Sequence, residues 1–364
     1  NEINYEEIRE AIEINKRRTD NPFGDSAFTG ILEKELSPEL KQNLEELKDQ
    51  QFSVTQLETY AKCPYKYFAE RVLNLEVTEE PTEELEAFEL GSLLHKILHE
   101  FFIKLKKEKI ILAGCSDAEF KTAEEMLFNI ADGKFEELQL VSSLSFFEKE
   151  KILGINNDRK NSILHKFLEY ERQNIDGFIP EYFEFAFGKI KSENDIESRS
   201  PEFKAGKVKV RGKIDRIEIK KENELLKVVD YKTGGRKPSV NDIKDGLSLQ
   251  LPLYLFAAKE LINAQLEKDF KPSGMEIYSL KFSEKDFGKN TVGITQRGKI
   301  DEASKIAKGI ETSQELIKVC IDSINRYVDL ISRGIFHLSK LEDRENKVCR
   351  FCNFRSICRI QEVE

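Results

Sequence analysis

The chain has 364 residues, 39% of them hydrophobic and 34% charged, against a usual charged share of roughly 25%. Its formal charge of −9, from 58 Lys and Arg against 67 Asp and Glu, argues against a globally basic nucleic-acid coat but leaves room for a local basic channel. No apolar run approaches the ~20 residues of a membrane span, and six cysteines are too few for a disulfide scaffold, so a soluble chain with no membrane partner is expected.

Residues 1–50 read as an acidic, helix-forming arm or linker broken by the turn-rich TDNPFGDS at 19–26. The first residue is Asn rather than Met, which suggests a processed or excised chain. At 52 the texture changes, and Ser53 caps a helix carrying Leu57, Tyr60 and Ala61 on one side. After a second acidic stretch, residues 85–107 place Leu94, Leu98, Phe101, Phe102 and Leu105 at helical spacing. Two or three more helices are expected in 117–175. From about 181 the period becomes strand-like, over 181–188, 207–220 and 225–232. A helix at 248–262, a strand at 274–282, a polar stretch at 283–300 and a long helix at about 301–333 follow. Helices, a small sheet with a crossover helix, then helices again predict an α/β or α+β fold.

The segments 207–220 and 225–232 form a hairpin if the turn is centred between Glu222 and Asn223. Ile219 then faces Leu226, Ile217 faces Val228, Asp215 faces Asp230 and Lys213 faces Lys232 on one side, while Glu218 meets Lys227 on the other. Two carboxylates ~5 Å apart repel unless a proton or cation sits between them. Hard oxygen ligands suit Mg²⁺, and Lys232, on the same face, can orient a metal-bound water or neutralise charge developing on a phosphate. The plainer alternative is an ordinary hairpin with surface charges.

The strings VRGKIDRIEI, VVDYKTG and QLPLY, in that order, resemble the PD-(D/E)XK nuclease superfamily and, within it, the RecB-type exonuclease domain. The resemblance implies a small mixed central sheet flanked by helices. It makes Asp215 and Asp230 ligands of Mg²⁺ or Mn²⁺, with the backbone carbonyl of Tyr231 as a further ligand and Lys232 as the catalytic lysine. Gln250 and Tyr254 match a Q-x-x-x-Y element one helical turn long. GSLLHKILHEFF at 91–102 resembles the family's G-x-x-x-H-x-x-L element, which adds His95 to the metal shell.

Cys349, Cys352 and Cys358 read C-x₂-C-x₅-C, with Cys63 far upstream. Such thiols suit zinc, and equally a [4Fe–4S] cluster; spacing alone does not choose. AddB-type nucleases, the RecB-like domains at the C-terminus of the AddAB helicase-nuclease, show one cysteine before the core and C-x₂-C-x₅-C after it, and YAKCPYKYFAERVL around Cys63 looks like them. That resemblance implies an iron–sulfur cluster on Cys63, Cys349, Cys352 and Cys358, with Zn²⁺ the less favoured occupant, and places Cys115 and Cys320 outside it as core thiols. It covers roughly 51–364, divided into a helical region at about 103–178, a catalytic core at about 181–282 and a cluster tail at 345–364.

The expected function is metal-dependent exonuclease action on DNA ends, as the nuclease part of a bacterial, cytoplasmic helicase-nuclease in double-strand break repair. Arg216, beside the site, and Arg350 and Arg355, beside the tail cysteines, are candidate phosphate contacts; compensation of cluster charge is the other reading of the tail arginines. No G-x-x-x-x-G-K-[ST] occurs, since Gly206, Gly212 and Lys213 have the wrong spacing, so ATP bound through a P-loop is not expected. A helicase partner, or the helicase half of a larger chain, would supply that part. The competing readings are a non-catalytic DNA-binding scaffold of the same fold and a zinc-ribbon-like protein without nuclease activity.

Overall fold

The computed structural model describes residues 5–76, 87–137, 143–155, 158–189, 202–234, 237–281, 287–292 and 302–362. From the N-terminus, α1 (Tyr5–Asp20) and α2 (Pro38–Glu46) precede β1 (Gln51–Ser53), α3 (Val54–Lys62) and α4 (Pro64–Tyr67). A helical lobe follows, built from α5 (Ala87–Glu108), α6 (Asp117–Glu137), α7 (Ser143–Leu153) and α8 (Ile163–Gln173). Next come β2 (Ile179–Phe187), β3 (Phe203–Ala205), β4 (Val208–Lys220) and β5 (Leu225–Lys232). The short α9 (Val240–Lys244) and α10 (Gln250–Leu266) cross to β6 (Lys271–Ser279) and β7 (Gly288–Val292). The chain closes with α11 (Glu302–Ser332), α12 (Arg344–Lys347) and α13 (Arg355–Cys358).

The strands form one mixed seven-stranded sheet in the order β1-β4-β5-β6-β7, with β2 and β3 also on β4. β5 and β6 run parallel, which requires a crossover, and α10 supplies it. Both faces are covered. On one, Ile217, Ile219, Leu226 and Val228 pack with Leu255 and Ala258 of α10 and Ile324 and Val328 of α11. On the other, Val229, Tyr231 and Tyr278 pack with Leu98, Phe101 and Phe102 of α5 and Phe167 of α8. Burial on both faces is why β5 reads as a nearly unbroken apolar run rather than an alternation.

The expected hairpin register holds where the strands pair: Ile217 opposes Val228, Glu218 opposes Lys227 and Ile219 opposes Leu226. The ladder ends at the Arg216–Val229 pair. Asp215 and Asp230 therefore sit just beyond it, at the open end of the hairpin. Lys213 does not pair with Lys232, because the β4–β5 ladder has already ended; it pairs with Ala186 of β2, on the other edge of β4. The stretch expected to be polar from 283 contains a strand, β7, antiparallel to β6. β1 and β3, three residues each, pair with the other end of β4 and were not foreseen.

The Ser53 cap is present: its hydroxyl accepts from Gln56 N–H, and the Gln56 side chain accepts from Ser53 N–H. The N-terminal arm is docked on the end of the chain. Leu32 N–H donates to Gly334 O at 2.9 Å, Arg333 pairs with Glu33 at 2.8 Å and Arg18 donates to the Cys358 carbonyl at 2.9 Å. Gly30 permits this approach, since it lies at φ +87° and an added Cβ would stand 2.4 Å from Phe336 O. Among the described residues no helix is long and apolar enough to cross a membrane.

Candidate active site

β4 and β5 bring two carboxylates to one place, and helices on either side of the sheet complete the site. The Asp215 carboxylate accepts a hydrogen bond from Tyr231 N–H at 2.9 Å, which fixes it to the neighbouring strand. Its other oxygen lies 3.3 Å from His95 Nδ1. His95 reaches in from α5, whose buried stripe of Leu94, Leu98, Phe101, Phe102 and Leu105 lies on the sheet. Its Nε2 stands 3.2 Å from the Tyr231 carbonyl oxygen. Burial would depress the imidazole pKa, but the hydrogen bond and charge of Asp215, with Asp230 and Glu184 behind, raise it instead.

On the other side of the hairpin, Lys232 pairs with Asp230 at 2.8 Å. Gln250, the first residue of α10, bridges both: its amide donates to Asp230 Oδ1 at 2.7 Å, and its carbonyl lies 3.5 Å from Lys232 Nζ. Tyr254, one turn on, is buried, hydrogen-bonded to Gln250 and near enough to Asp230 and Asp215 that, after burial, their charges raise its pKa. Its ring occupies space that Gly212 leaves, because a Cβ there would be 2.9 Å from Tyr254 and 2.6 Å from Phe187. Burial and the negative charge of Asp215 push the Asp230 carboxyl up to about 7. Burial alone would lower the Lys232 pKa, but Asp230 outweighs it and keeps the ammonium charged.

Sequence reasoning missed Glu184. It sits in β2 at φ +49°, a left-handed conformation unusual for a non-glycine residue and strained inside a strand. It is ion-paired to Lys213 and lies 4.0 Å from His95 Nδ1. Ligand atoms of His95, Glu184 and Asp215 fall within 4.8 Å of one another, the one such group among the described residues. The donor set is one imidazole among hard oxygens, which fits a small divalent cation. Burial first, and the Asp215 charge second, raise Asp230 against the lowering by Lys232 and His95, and a cation beside the two carboxylates would oppose both causes. Glu58 of α3 was also missed; it accepts Leu249 N–H at 2.7 Å and Gln250 N–H at 3.1 Å, capping the helix that presents Gln250.

Arg216 does not contact solvent. It is 1% exposed, ion-paired to Glu218 and to Glu171 at 2.6 Å, and so corrects the expectation of a phosphate contact. Both sheet faces are covered, so a charged strand residue facing the helical lobe is enclosed. Arg350 is exposed, and Arg355, partly exposed, pairs with Glu345 at 2.7 Å; both lie on the cluster tail. A groove of about 410 Å³ opens beside Lys232, lined by Lys62, Lys237, Lys347, Glu58, Asp242 and Gln250 among others. Within it Lys347 bonds Asp242 at 3.1 Å and Lys237 bonds Asn290 at 2.9 Å.

Cys63, Cys349 and Cys358 are buried in a small core of their own with Leu338, Val348 and Ile360, and Cys352 lies at its edge. Burial, with Cys352 and Cys358 nearby, pushes the Cys63 thiol up to about 11. Cys349 and Cys358 are raised by the same causes. No three of these sulfurs are grouped within 4.8 Å, wider than the ~3.8 Å edges of a zinc tetrahedron with 2.3 Å bonds. Cys115 and Cys320 are buried elsewhere, as expected of core thiols.

A mixed sheet carrying D…D-x-K on adjacent strands, with helix-borne His and Gln completing the set, defines a class of nuclease. The family model of the PD-(D/E)XK nuclease superfamily matches residues 51–359, and the chain belongs to that superfamily. It is similar to proteins named as one of the subunits of an ATP-dependent helicase/deoxyribonuclease. The relative from Carboxydothermus hydrogenoformans is 27% identical, covering 87% of this chain and 32% of its own length. That from Clostridium kluyveri is 29% identical, covering 63% of this chain and 19% of its own length. This chain thus spans a third or less of those relatives.

Proposed function

We propose that this chain is a divalent-metal-dependent deoxyribonuclease that removes nucleotides from DNA ends, acting as the nuclease part of a helicase-nuclease in double-strand break repair. The juxtaposition of Asp215, Asp230 and Lys232 at the open end of one hairpin, facing His95, carries the reading. His95, Asp215, Asp230 and the Tyr231 carbonyl would hold Mg²⁺ or Mn²⁺, with Glu184 close enough to join them. Such a cation, when bound, acidifies water and neutralises charge on phosphoryl oxygens. Lys232, 42% exposed and kept charged by Asp230, donates to the attacked phosphate and stabilises its developing charge. Gln250 holds Lys232 and Asp230 in register, and Tyr254 holds Gln250.

The groove beside Lys232 suits a single strand: Lys62, Lys237 and Lys347 line it and would meet successive phosphates. The four tail and upstream cysteines would hold a [4Fe–4S] cluster that ties the two ends of the domain together. Unwinding would come from the helicase portion implied by the relatives' names. The test is digestion of 5′- and 3′-labelled single strands with Mg²⁺ or Mn²⁺. Degradation from one end, lost in Asp230→Ala and Lys232→Ala, is expected. Activity surviving unchanged in both variants would refute the assignment.

A further inference from the structure

We propose that Arg216 is a positioning residue for the metal shell, acting through Tyr231 on His95; the inference rests on the metal-site reading above. Its guanidinium reaches three other elements. Nη2 donates to Glu171 of α8 at 2.6 Å, and Nη1 donates to the Tyr231 hydroxyl of β5 at 3.3 Å. Its Cζ lies over the ring of Phe102, 4.7 Å from the centroid, on α5, the helix that carries His95 two turns earlier.

Tyr231 is the hub on the receiving side. Its carbonyl faces His95 Nε2 at 3.2 Å, its N–H donates to Asp215 at 2.9 Å, and its ring meets the imidazole edge-on with centroids 5.7 Å apart. Charge balance accounts for the pairing of Arg216 with Glu171 and Glu218, but not for its hydrogen bond to the neutral Tyr231 hydroxyl or its place over Phe102. A planar fork of five donors can serve Glu171, Glu218 and Tyr231 together over the Phe102 ring; an ammonium, a compact point charge, cannot. Arg216 thereby joins the helix bearing one ligand to the two strands bearing the others.

Groups that orient metal ligands from behind typically cost ~10–100-fold in metal affinity when altered. Mn²⁺ titration by calorimetry on the full chain tests this, comparing wild type, Arg216→Lys, Tyr231→Phe and Asp215→Asn, with metal-free melting curves as the check of folding. Both Arg216→Lys and Tyr231→Phe should weaken Mn²⁺ binding ~10-fold or more, while Tyr231→Phe melts like the wild type. Tyr231→Phe deletes a single oxygen and decides the matter even if the Arg216 variant fails to fold. Mn²⁺ affinity in folded Tyr231→Phe within about twofold of wild type would overturn the proposal. Wild type and Asp215→Asn binding Mn²⁺ alike would instead overturn the metal-site reading, and this inference with it.

Discussion

Asp230→Asn should stabilise the metal-free protein while abolishing catalysis. The Asp230 carboxyl is nearly enclosed, and burial with Asp215 alongside pushes it up to about 7. An unfolded Asp titrates near ~3.9, so holding the group ionised at pH 8 costs about 4 kcal/mol. Asparagine keeps the acceptor for the Gln250 amide, and the ion pair with Lys232 that it gives up is already included in that figure, because Lys232 is among the groups that lower the Asp230 carboxyl. The gain of about 4 kcal/mol, divided by ~2.1 cal/mol/K per residue over 364 residues, raises Tm by about 5 °C. The sign fixes the pH window. Between pH ~4 and about 7 the folded wild type binds the extra proton, so its stability falls as pH rises through that range. The variant lacks this slope, and the two should converge below pH ~4. Calorimetric melts in EDTA from pH 4 to 8 read the difference directly. An Asp230→Asn protein that melts below wild type at pH 8 would show that the carboxylate is not held against its preference, and the case for a missing cation would lose its electrostatic support.

Other outcomes follow from the same physics. Glu218→Gln leaves Arg216, Lys227 and Lys289 with one buried anion fewer and should cost ~3–5 kcal/mol, read by denaturant unfolding. Burial would raise the Glu218 carboxyl, but those three cations hold it far below the usual carboxylate range. Its contribution is therefore complete above pH ~4 and lost as pH falls further, and Glu218→Gln should flatten the acid limb of the stability curve. Lys347→Ala should weaken single-strand binding and reduce the slope of log K against log salt by about 0.7, measured by fluorescence anisotropy. Protein purified without oxygen should be brown with about four Fe per chain, and Cys349→Ser should be colourless with a lower Tm; colourless wild type carrying one Zn would refute the cluster.

The legible parts of the sequence were those in which neighbours along the chain decide the structure. Alternation in IDRIEIK and LLKVVD, joined by a short polar turn, was enough to set the register and to bring Asp215 and Asp230 together. Glu184 carried no such signal. It comes from a separate strand, and its reach toward His95 depends on a left-handed backbone that no spacing rule announces. Arg216 was misjudged because alternation tells which residues share a face, not whether a helical lobe covers that face. β7 escaped because GKNTV, an edge strand, has no apolar pattern to read. Glu58 acts by capping a helix almost two hundred residues away, a relation only the fold creates.

The fold handles buried charge in two opposite ways, and the contrast is what marks the site. Between sheet and helical lobe, Arg216, Lys227 and Lys289 meet Glu171, Glu218, Glu276 and Asp176. Three cations face four carboxyls, of which Asp176 is 36% exposed and Glu276 has its pKa raised by burial, so the buried charges are nearly matched within the cluster itself. At the open end of the hairpin the carboxyls are Glu184, Asp215 and Asp230, while the ammonium groups of Lys213 and Lys232 are 51% and 42% exposed. Water screens those two, so they compensate poorly for carboxylates that are 14% exposed or less. A structural network evolves toward neutrality because an unpaired buried charge destabilises the fold. A shortage of buried positive charge, next to a lysine and open to a groove, is the electrostatic setting that the proposed cation site would need.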